Sequence, residues 1–247
     1  MLEVRHLTLR YPNGKLALAD FSLCARAGEL AVVLGGNGSG KTTLLKCVTR
    51  ILAPSAGEIW LNGTNLTALK GEKLRRARLA LAMISQHASL IRRRSVLANV
   101  ATGALGRHNT VWTALGGLPR PELAAAHGYL AEVGLAALAR QRAGTLSGGQ
   151  AQRVAIARAL AQRPRVLLAD EPVASLDPEA AEEIMRLLRR LAHDEGLAVV
   201  CVLHQVDLAD QYADRVVGIR AGKVDFDLPR SQVSRDAVRR LYLSEAA

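Results

Sequence analysis

Aromatic residues make up only 3% of the 247-residue chain. Side chains able to stack on several successive bases are therefore scarce, and a single-strand nucleic-acid platform is disfavoured. Cysteine is sparse as well: Cys24, Cys47 and Cys201 are odd in number and widely spaced, with no CxxC pair. That spacing suggests neither a disulfide framework nor a zinc site, and fits small core residues in a reducing compartment. Long hydrophobic runs are also missing. The longest, Leu30 to Leu34 and Leu197 to Leu203, fall far short of the roughly 20 residues that cross a bilayer. The start, MLEVRHLTLR, lacks the continuous apolar stretch of a signal peptide. A chain that stays in the cytoplasm and does not span a membrane is expected.

The hydrophobic fraction of 49% excludes disorder and suffices for one large domain, or one domain with a lobe, whose core is mostly Ala, Leu, Val and Ile. Thirty-three Lys and Arg against 22 Asp and Glu give a net charge of +11. Such a balance suits anionic headgroups or nucleic acid, but an Arg-rich, Ala-rich, Lys-poor chain also reflects base composition, and composition alone leaves both readings open.

Near the N-terminus, Leu2, Val4, His6, Thr8 and Arg10 alternate imperfectly with Glu3, Arg5, Leu7 and Leu9 before a YPNG turn, which predicts a β-hairpin. Gly57 to Leu61 before Asn62-Gly63 predicts a second antiparallel pair. Leu30 to Leu34, Val166 to Ala169 and Leu197 to Leu203 are apolar throughout, as strands buried on both faces of a parallel sheet are. Between about Ser95 and Gln162 the chain is rich in Ala, Leu and Arg and reads as a helical lobe. Its weak point is Gly103 to Pro121, with four glycines, two prolines and Trp112, which is expected at the surface.

Three motifs carry chemistry. In GGNGSGKTT, residues Gly35, Gly36, Asn37, Gly38, Ser39, Gly40, Lys41, Thr42 and Thr43 follow the apolar run Ala-Val-Val-Leu. Glycine lets successive N–H groups face one anion, Lys41 reaches terminal phosphates, and Thr42 can ligate Mg²⁺. In VLLADEP, Asp170 and Glu171 close an apolar strand at the carboxyl end, where open α/β sheets bind ligands. Beside a Mg-nucleotide, Asp170 can hold the metal through its water shell and Glu171 can deprotonate the attacking water; a helix N-cap ahead of Pro172 is the plainer alternative. In LSGGQ, the residues Ser147, Gly148, Gly149 and Gln150 open a long Ala/Arg helix and make either a good N-cap or a second anion site.

Together and in their order along the chain, GGNGSGKTT, LSGGQ and VLLADEP, these motifs resemble the ATPase subunits of ATP-binding cassette (ABC) transporters. The resemblance implies an α/β fold: a P-loop NTPase core with a parallel sheet, an antiparallel β portion and an inserted helical lobe. It implies one domain over residues 1–247, with core 1–86 and 163–247 and a lobe at about 87–162. The cofactors implied are ATP and Mg²⁺. Further roles come from the resemblance alone: Gln86 is similar to the glutamine that senses metal and water, and is thereby a metal-site and catalytic residue alongside Glu171. His204 is similar to the switch histidine at the γ-phosphate; Ser175, Leu176 and Asp177 resemble the D-loop; Tyr11 matches the aromatic that stacks on adenine. Ala151 stands where relatives commonly carry Gln, and Gly36 where Pro or Ala is frequent; neither change removes a phosphate contact.

The family resemblance further implies a homodimer of ATPase subunits on integral-membrane permease subunits, peripheral at the cytoplasmic face of the inner membrane. A periplasmic substrate-binding protein is an indirect partner, and nucleic acid is not expected as one. RRRSVLANV, GALGRHNTVW, DEPVASLDP and LHQVDLADQYADRVVGIRAGKV are similar to phosphonate-import ATPases, so the expected function is ATP hydrolysis driving uptake of phosphonates or related phosphorus oxyanions. Cassettes for phosphate, polar amino acids or metals, and a soluble cassette in a phosphonate-degrading complex, are the alternatives.

Overall fold

The computed structural model describes residues 1–108, 113 and 117–242; Trp112 lies outside them. The N-terminal hairpin is present as β1 (Leu2–Arg10) and β2 (Leu16–Ala25). Its imperfect alternation has a physical cause. Leu2 and Val4 point into the core from even positions, and Leu7 and Leu9 from odd ones. Between them His6 adopts a left-handed φ of 50°, and the register with both neighbouring strands slips there. This is a β-bulge, and each bulged residue moves the following side chains to the opposite face. Thr8 and Arg10 therefore do not continue the face begun by Leu2 and Val4.

After β3 (Leu30–Leu34), α1 (Lys41–Val48) and β4 (Ala56–Leu61), the turn at Asn62 and Gly63 takes positive φ at both residues and leads into β5 (Thr64–Asn65). This is the geometry that suits the twist of a tight hairpin. The result is a four-stranded antiparallel sheet in the order β2-β1-β4-β5.

The second sheet contains β3, β6 (Leu81–Ile84), β7 (Val166–Asp170), β8 (Ala198–Leu203), β9 (Arg215–Arg220) and β10 (Lys223–Pro229), in the order β10-β9-β3-β8-β7-β6. All pairs are parallel except β9 with β10. The apolar runs of β3 and β8 are buried at every position, yet they keep a period of two. Leu30, Val32 and Leu34 enter one core with Val199, Cys201 and Leu203, while Val33 enters another with Val200 and Val202. The first core holds the sheet against the helices; the second packs it on α1 and the antiparallel sheet.

Helices α2 (Gly71–Ala77), α3 (Val96–Ala101), α4 (Arg120–Glu132) and α5 (Gly148–Ala161) occupy the middle of the chain; α3, α4 and α5 pack on one another. Buried Glu122, in the first turn of α4, holds Arg107 at 2.5 Å, His108 at 3.0 Å and Arg163 at 3.7 Å. The segment before α4 and the end of α5 are thereby tied to one carboxylate. After β7 come α6 (Pro178–His193), α7 (Val206–Tyr212) and α8 (Arg235–Tyr242).

Candidate functional site

The loop from Gly35 to Gly40 leaves β3 in the middle of the second sheet and enters α1. Two of its glycines are required by packing. A Cβ on Gly35 would lie 2.3 Å from the Ile219 carbonyl oxygen, and one on Gly40, whose φ is 111°, would lie 2.6 Å from that of Ala17. No other residue permits both the approach and the left-handed turn. Lys41 is 5% exposed, and its Nζ donates to the carbonyls of Gly35 and Gly36 at 2.7 and 2.8 Å. Its ammonium is thus folded back along the loop. Ser39 faces inward, with its hydroxyl buried.

Beyond the loop lies a cavity of about 310 Å³ whose lining includes Tyr11, Lys15, Asn37, Lys41, Thr43 and Glu171. Tyr11 shares a hydrogen bond of 3.1 Å with Thr43 Oγ1, which sets the first hairpin against α1. Lys15 adds a second cation to the cavity. It was not identified from the sequence; its one available signal is a basic residue closing the YPNG turn.

Asp170 ends β7, next to β8 in the sheet, and Glu171 follows it directly. Thr42 Oγ1 donates to Asp170 Oδ1 at 3.1 Å, so a hydroxyl and a carboxylate converge beside the loop. Burial pushes the Asp170 carboxyl above its ordinary range; the adjacent Glu171 charge adds to this, while the Thr42 bond and the ammonium groups of Lys46 and Lys41 offset part of it. An oxygen-only pair whose charge is poorly solvated fits a hard cation such as Mg²⁺. Glu171 has a left-handed φ of 50°, an uncommon conformation for a non-glycine residue that costs on the order of 1 kcal/mol and concentrates at functional sites. Its amide still donates to the Val202 carbonyl, so the sheet continues through the strained residue. Glu171 Oε1 meets His204 Nε2 at 2.5 Å, across the ends of the paired strands β7 and β8.

A second group of expected site residues gathers elsewhere. Ser147 caps α5: its side chain accepts from the Gln150 amide at 3.3 Å, and Gln150 Oε1 accepts from the Ser147 amide at 3.0 Å. Gly148 and Gly149 lie against Leu176 and Ala180, and the fit is tight at Gly149, where a Cβ would stand 3.0 Å from that of Ala180. Asp177 caps α6 through the Ala180 amide at 2.9 Å. Neither Ser147 to Gln150 nor Asp177 lines the cavity at Lys41. Gln86, two residues after β6, is exposed and does not line it either.

The ABC transporter family model matches residues 18–174. The phosphonates import ATP-binding protein PhnC of Wolinella succinogenes is 44% identical over 245 residues, covering 99% of this chain and 89% of its own length. PhnC 3 of Halalkalibacterium halodurans, which has the same description, is 41% identical over 242 residues, 98% of this chain and 94% of its own. Among solved structures, cbiO1 from Clostridium perfringens, part of an ABC transporter complex, superposes with a TM-score of 0.84 at 31% identity, over 97% of this chain and 92% of that one. A dimeric ATP-binding cassette in a post-hydrolysis state with ADP and Pi gives a TM-score of 0.80 at 30% identity, over 93% of this chain and 99% of that one.

Proposed function

Because this chain belongs to the ABC transporter family, we propose that it hydrolyses ATP to drive import of phosphonates or related phosphorus oxyanions through separate permease subunits. The observation that carries the ATPase reading is the convergence of Lys41, Thr42, Asp170, Glu171 and His204 at the ends of adjacent parallel strands. The cargo rests on 41–44% identity, over nearly the whole chain, to proteins described as phosphonates import ATP-binding proteins.

In this reading Gly35 to Gly40, Lys41 and Thr43 cradle the phosphate chain, and Tyr11 packs on the base. Thr42 and Asp170 would hold Mg²⁺, with Gln86 approaching from the edge strand. Held there, the metal would supply positive charge to offset that of the phosphate oxygens. Glu171 takes a proton from water as the water oxygen bonds to the γ-phosphorus. The bond from that phosphorus to the ADP oxygen breaks, leaving ADP and phosphate. His204, in contact with Glu171 Oε1, orients the carboxylate and faces the departing group.

Two copies complete two sites, each with the Lys41 loop of one chain against Ser147 to Gln150 and the Asp177 loop of the other. The separation of these groups within one chain supports this arrangement. No helix among the described residues is long and apolar enough to cross a membrane, so permease subunits provide the path and a periplasmic binding protein delivers the cargo. The chain would then sit at the cytoplasmic face of the inner membrane. A groove of about 450 Å³ bordered by Ile51, Arg75, Arg78, Leu79 and Met83, with Ile51 60% exposed, is a suitable seat for the permease. Exposed Ile91 and Arg92 to Arg94 offer a basic rim to permease carboxylates or headgroups.

Growth on a phosphonate as sole phosphorus source tests the cargo. A deletion strain with no second importer should fail to grow there and grow normally on phosphate. Normal growth on the phosphonate would overturn the cargo while leaving the ATPase reading intact.

A further inference from the structure

Three polar side chains along α5 and at its C-cap donate to backbone carbonyls of one stretch, residues 78–89. Gln152, 3% exposed, reaches the Ser85 carbonyl at 3.2 Å. Arg158 forks onto the carbonyls of Ala88 and Ser89 at 2.8 and 2.9 Å. Gln162 holds those of Leu79 and Leu81 at 3.0 and 2.6 Å. Gln86 lies between the points held by Gln152 and Arg158.

The stretch between those points is itself braced. The hydroxyls of Ser85 and Ser89 both donate to the His87 carbonyl, at 2.7 and 3.1 Å, and Ser89 turns with a φ of 47°. The carbonyls of Ser85, His87, Ala88 and Ser89 are all bonded, while the Gln86 side chain stays exposed. Carbonyls outside helix and sheet need such donors when they are shielded from water. The guanidinium suits the task because one planar group supplies two parallel N–H donors to adjacent carbonyls, which a lysine cannot do. Burial lowers the Arg158 pKa from its ordinary value, so its charge is poorly solvated, and its hydrogen bonds to the carbonyls offset that cost.

We propose that Arg158 and Gln152 are positioning residues for Gln86: they fasten Ser85 to Ser89 onto α5, so that the helix opened by Ser147 sets how far the Gln86 side chain reaches. At about 1.5 Å of rise per residue, Gln152 and Arg158 sit roughly 8 and 16 Å along the axis from Ser147. A rigid helix of that length makes displacement at Ser147 and displacement of Gln86 one motion. The inference rests on the assignment of Gln86 to the metal-bound nucleotide made above.

Two measurements on the full-length chain test it. The first is the Mg²⁺ concentration giving half-maximal ATP hydrolysis, in Gln86→Ala, Arg158→Met and the double variant. Each single change should raise it by a similar factor, about tenfold, the double should raise it no further, and Arg158→Lys should fall between parent and Arg158→Met. The second is the mobility of a nitroxide on His87→Cys in a Cys24→Ser background, which should rise with Arg158→Met. Should Arg158→Met fail to fold, Gln152→Leu releases the other anchor and should give the same two shifts. Multiplying effects in the double variant, or an unchanged label spectrum, would overturn the inference. A normal Mg²⁺ response in Gln86→Ala would remove the Gln86 assignment and the inference with it; a shifted response in Gln86→Ala beside a parental one in Arg158→Met would remove the inference alone.

Discussion

Asp170→Asn should make the protein more stable and less useful. The side chain is partly buried, beside the Glu171 carboxylate, and burial raises its pKa above the ordinary value. Asn keeps the shape and an oxygen for the 3.1 Å bond from Thr42, while removing the poorly solvated charge. Stabilising single substitutions commonly give about 0.5–2 kcal/mol, often at a cost in function, and each kcal/mol moves Tm by about 2–4 °C in a chain of this size. The sign with pH follows from linkage. A carboxyl whose pKa is raised on folding binds more protons folded than unfolded, so its ionisation costs stability as pH rises. The advantage of Asn is therefore full above the raised folded pKa and disappears as pH falls toward the unfolded value of 3.8. Nucleotide reverses the order. A ligand at 100 times its Kd stabilises by about 2.7 kcal/mol, and the variant, lacking the carboxylate proposed to hold Mg²⁺, should gain less. Calorimetry at neutral pH with and without Mg-ATP is the assay. A variant that melts below the parent without nucleotide, or gains as much from Mg-ATP, refutes the reasoning.

Glu171→Gln should lower ATP hydrolysis by about 10² to 10⁴ and leave ATP binding intact; parental turnover in the purified variant would exclude Glu171 as the base. A mixture of Lys41→Ala and Ser147→Arg chains should exceed either alone in ATPase activity, since only the heterodimer has one composite site with both Lys41 and Ser147. No gain from a demonstrated heterodimer competent with one site would count against shared sites. Glu122→Ala should destabilise by about 1–3 kcal/mol, because Arg107, His108 and Arg163 lose the carboxylate they surround and the partly buried Arg107 guanidinium is left without that acceptor; denaturant unfolding measures this. Burial works against the Glu122 charge, but His108, Arg107 and Arg163 outweigh it and hold the carboxyl below its ordinary range. Its contribution should thus be present above the unfolded value of 4.5 and fade as pH falls through the folded one.

The strands with a single strong pattern were legible in the sequence: β3 and β8 are apolar throughout, β7 is apolar up to Asp170, and β4 precedes an Asn-Gly turn. β6 was missed because LAMI is four residues long and follows a helical stretch, so neither period has room to develop. RVVGIR and KVDFDLP carry β9 and β10 around an Ala-Gly turn, but their charged ends and central glycine interrupt the alternation that marks a strand. The phosphate loop was readable because its chemistry is contiguous. The contact of Glu171 with His204 depends on the pairing of β7 with β8, which sets the two strand ends side by side. Arg158 was not readable, since an arginine in an Ala/Arg helix looks like a solvated face until the carbonyls of Ala88 and Ser89 are placed against it.

The bulge at His6 has a consequence for how this chain can vary. β1 is two half-strands in opposite phase, so the positions that tolerate charge are odd before the slip and even after it. Gly57 faces the slip across the sheet, where an added Cβ would stand 2.4 Å from the His6 carbonyl oxygen. Deleting His6 would remove the extra residue and restore strict alternation with Leu2, Val4, Leu7 and Leu9 still on one face, whereas flattening the bulge with His6 retained would turn one of the two pairs outward. Filling position 57 would drive the two backbones apart. Insertion state at His6 and residue identity at Gly57 are therefore linked in one direction: a chain that keeps the extra residue must keep glycine at position 57, and one that loses it no longer sets that His6 carbonyl against the site.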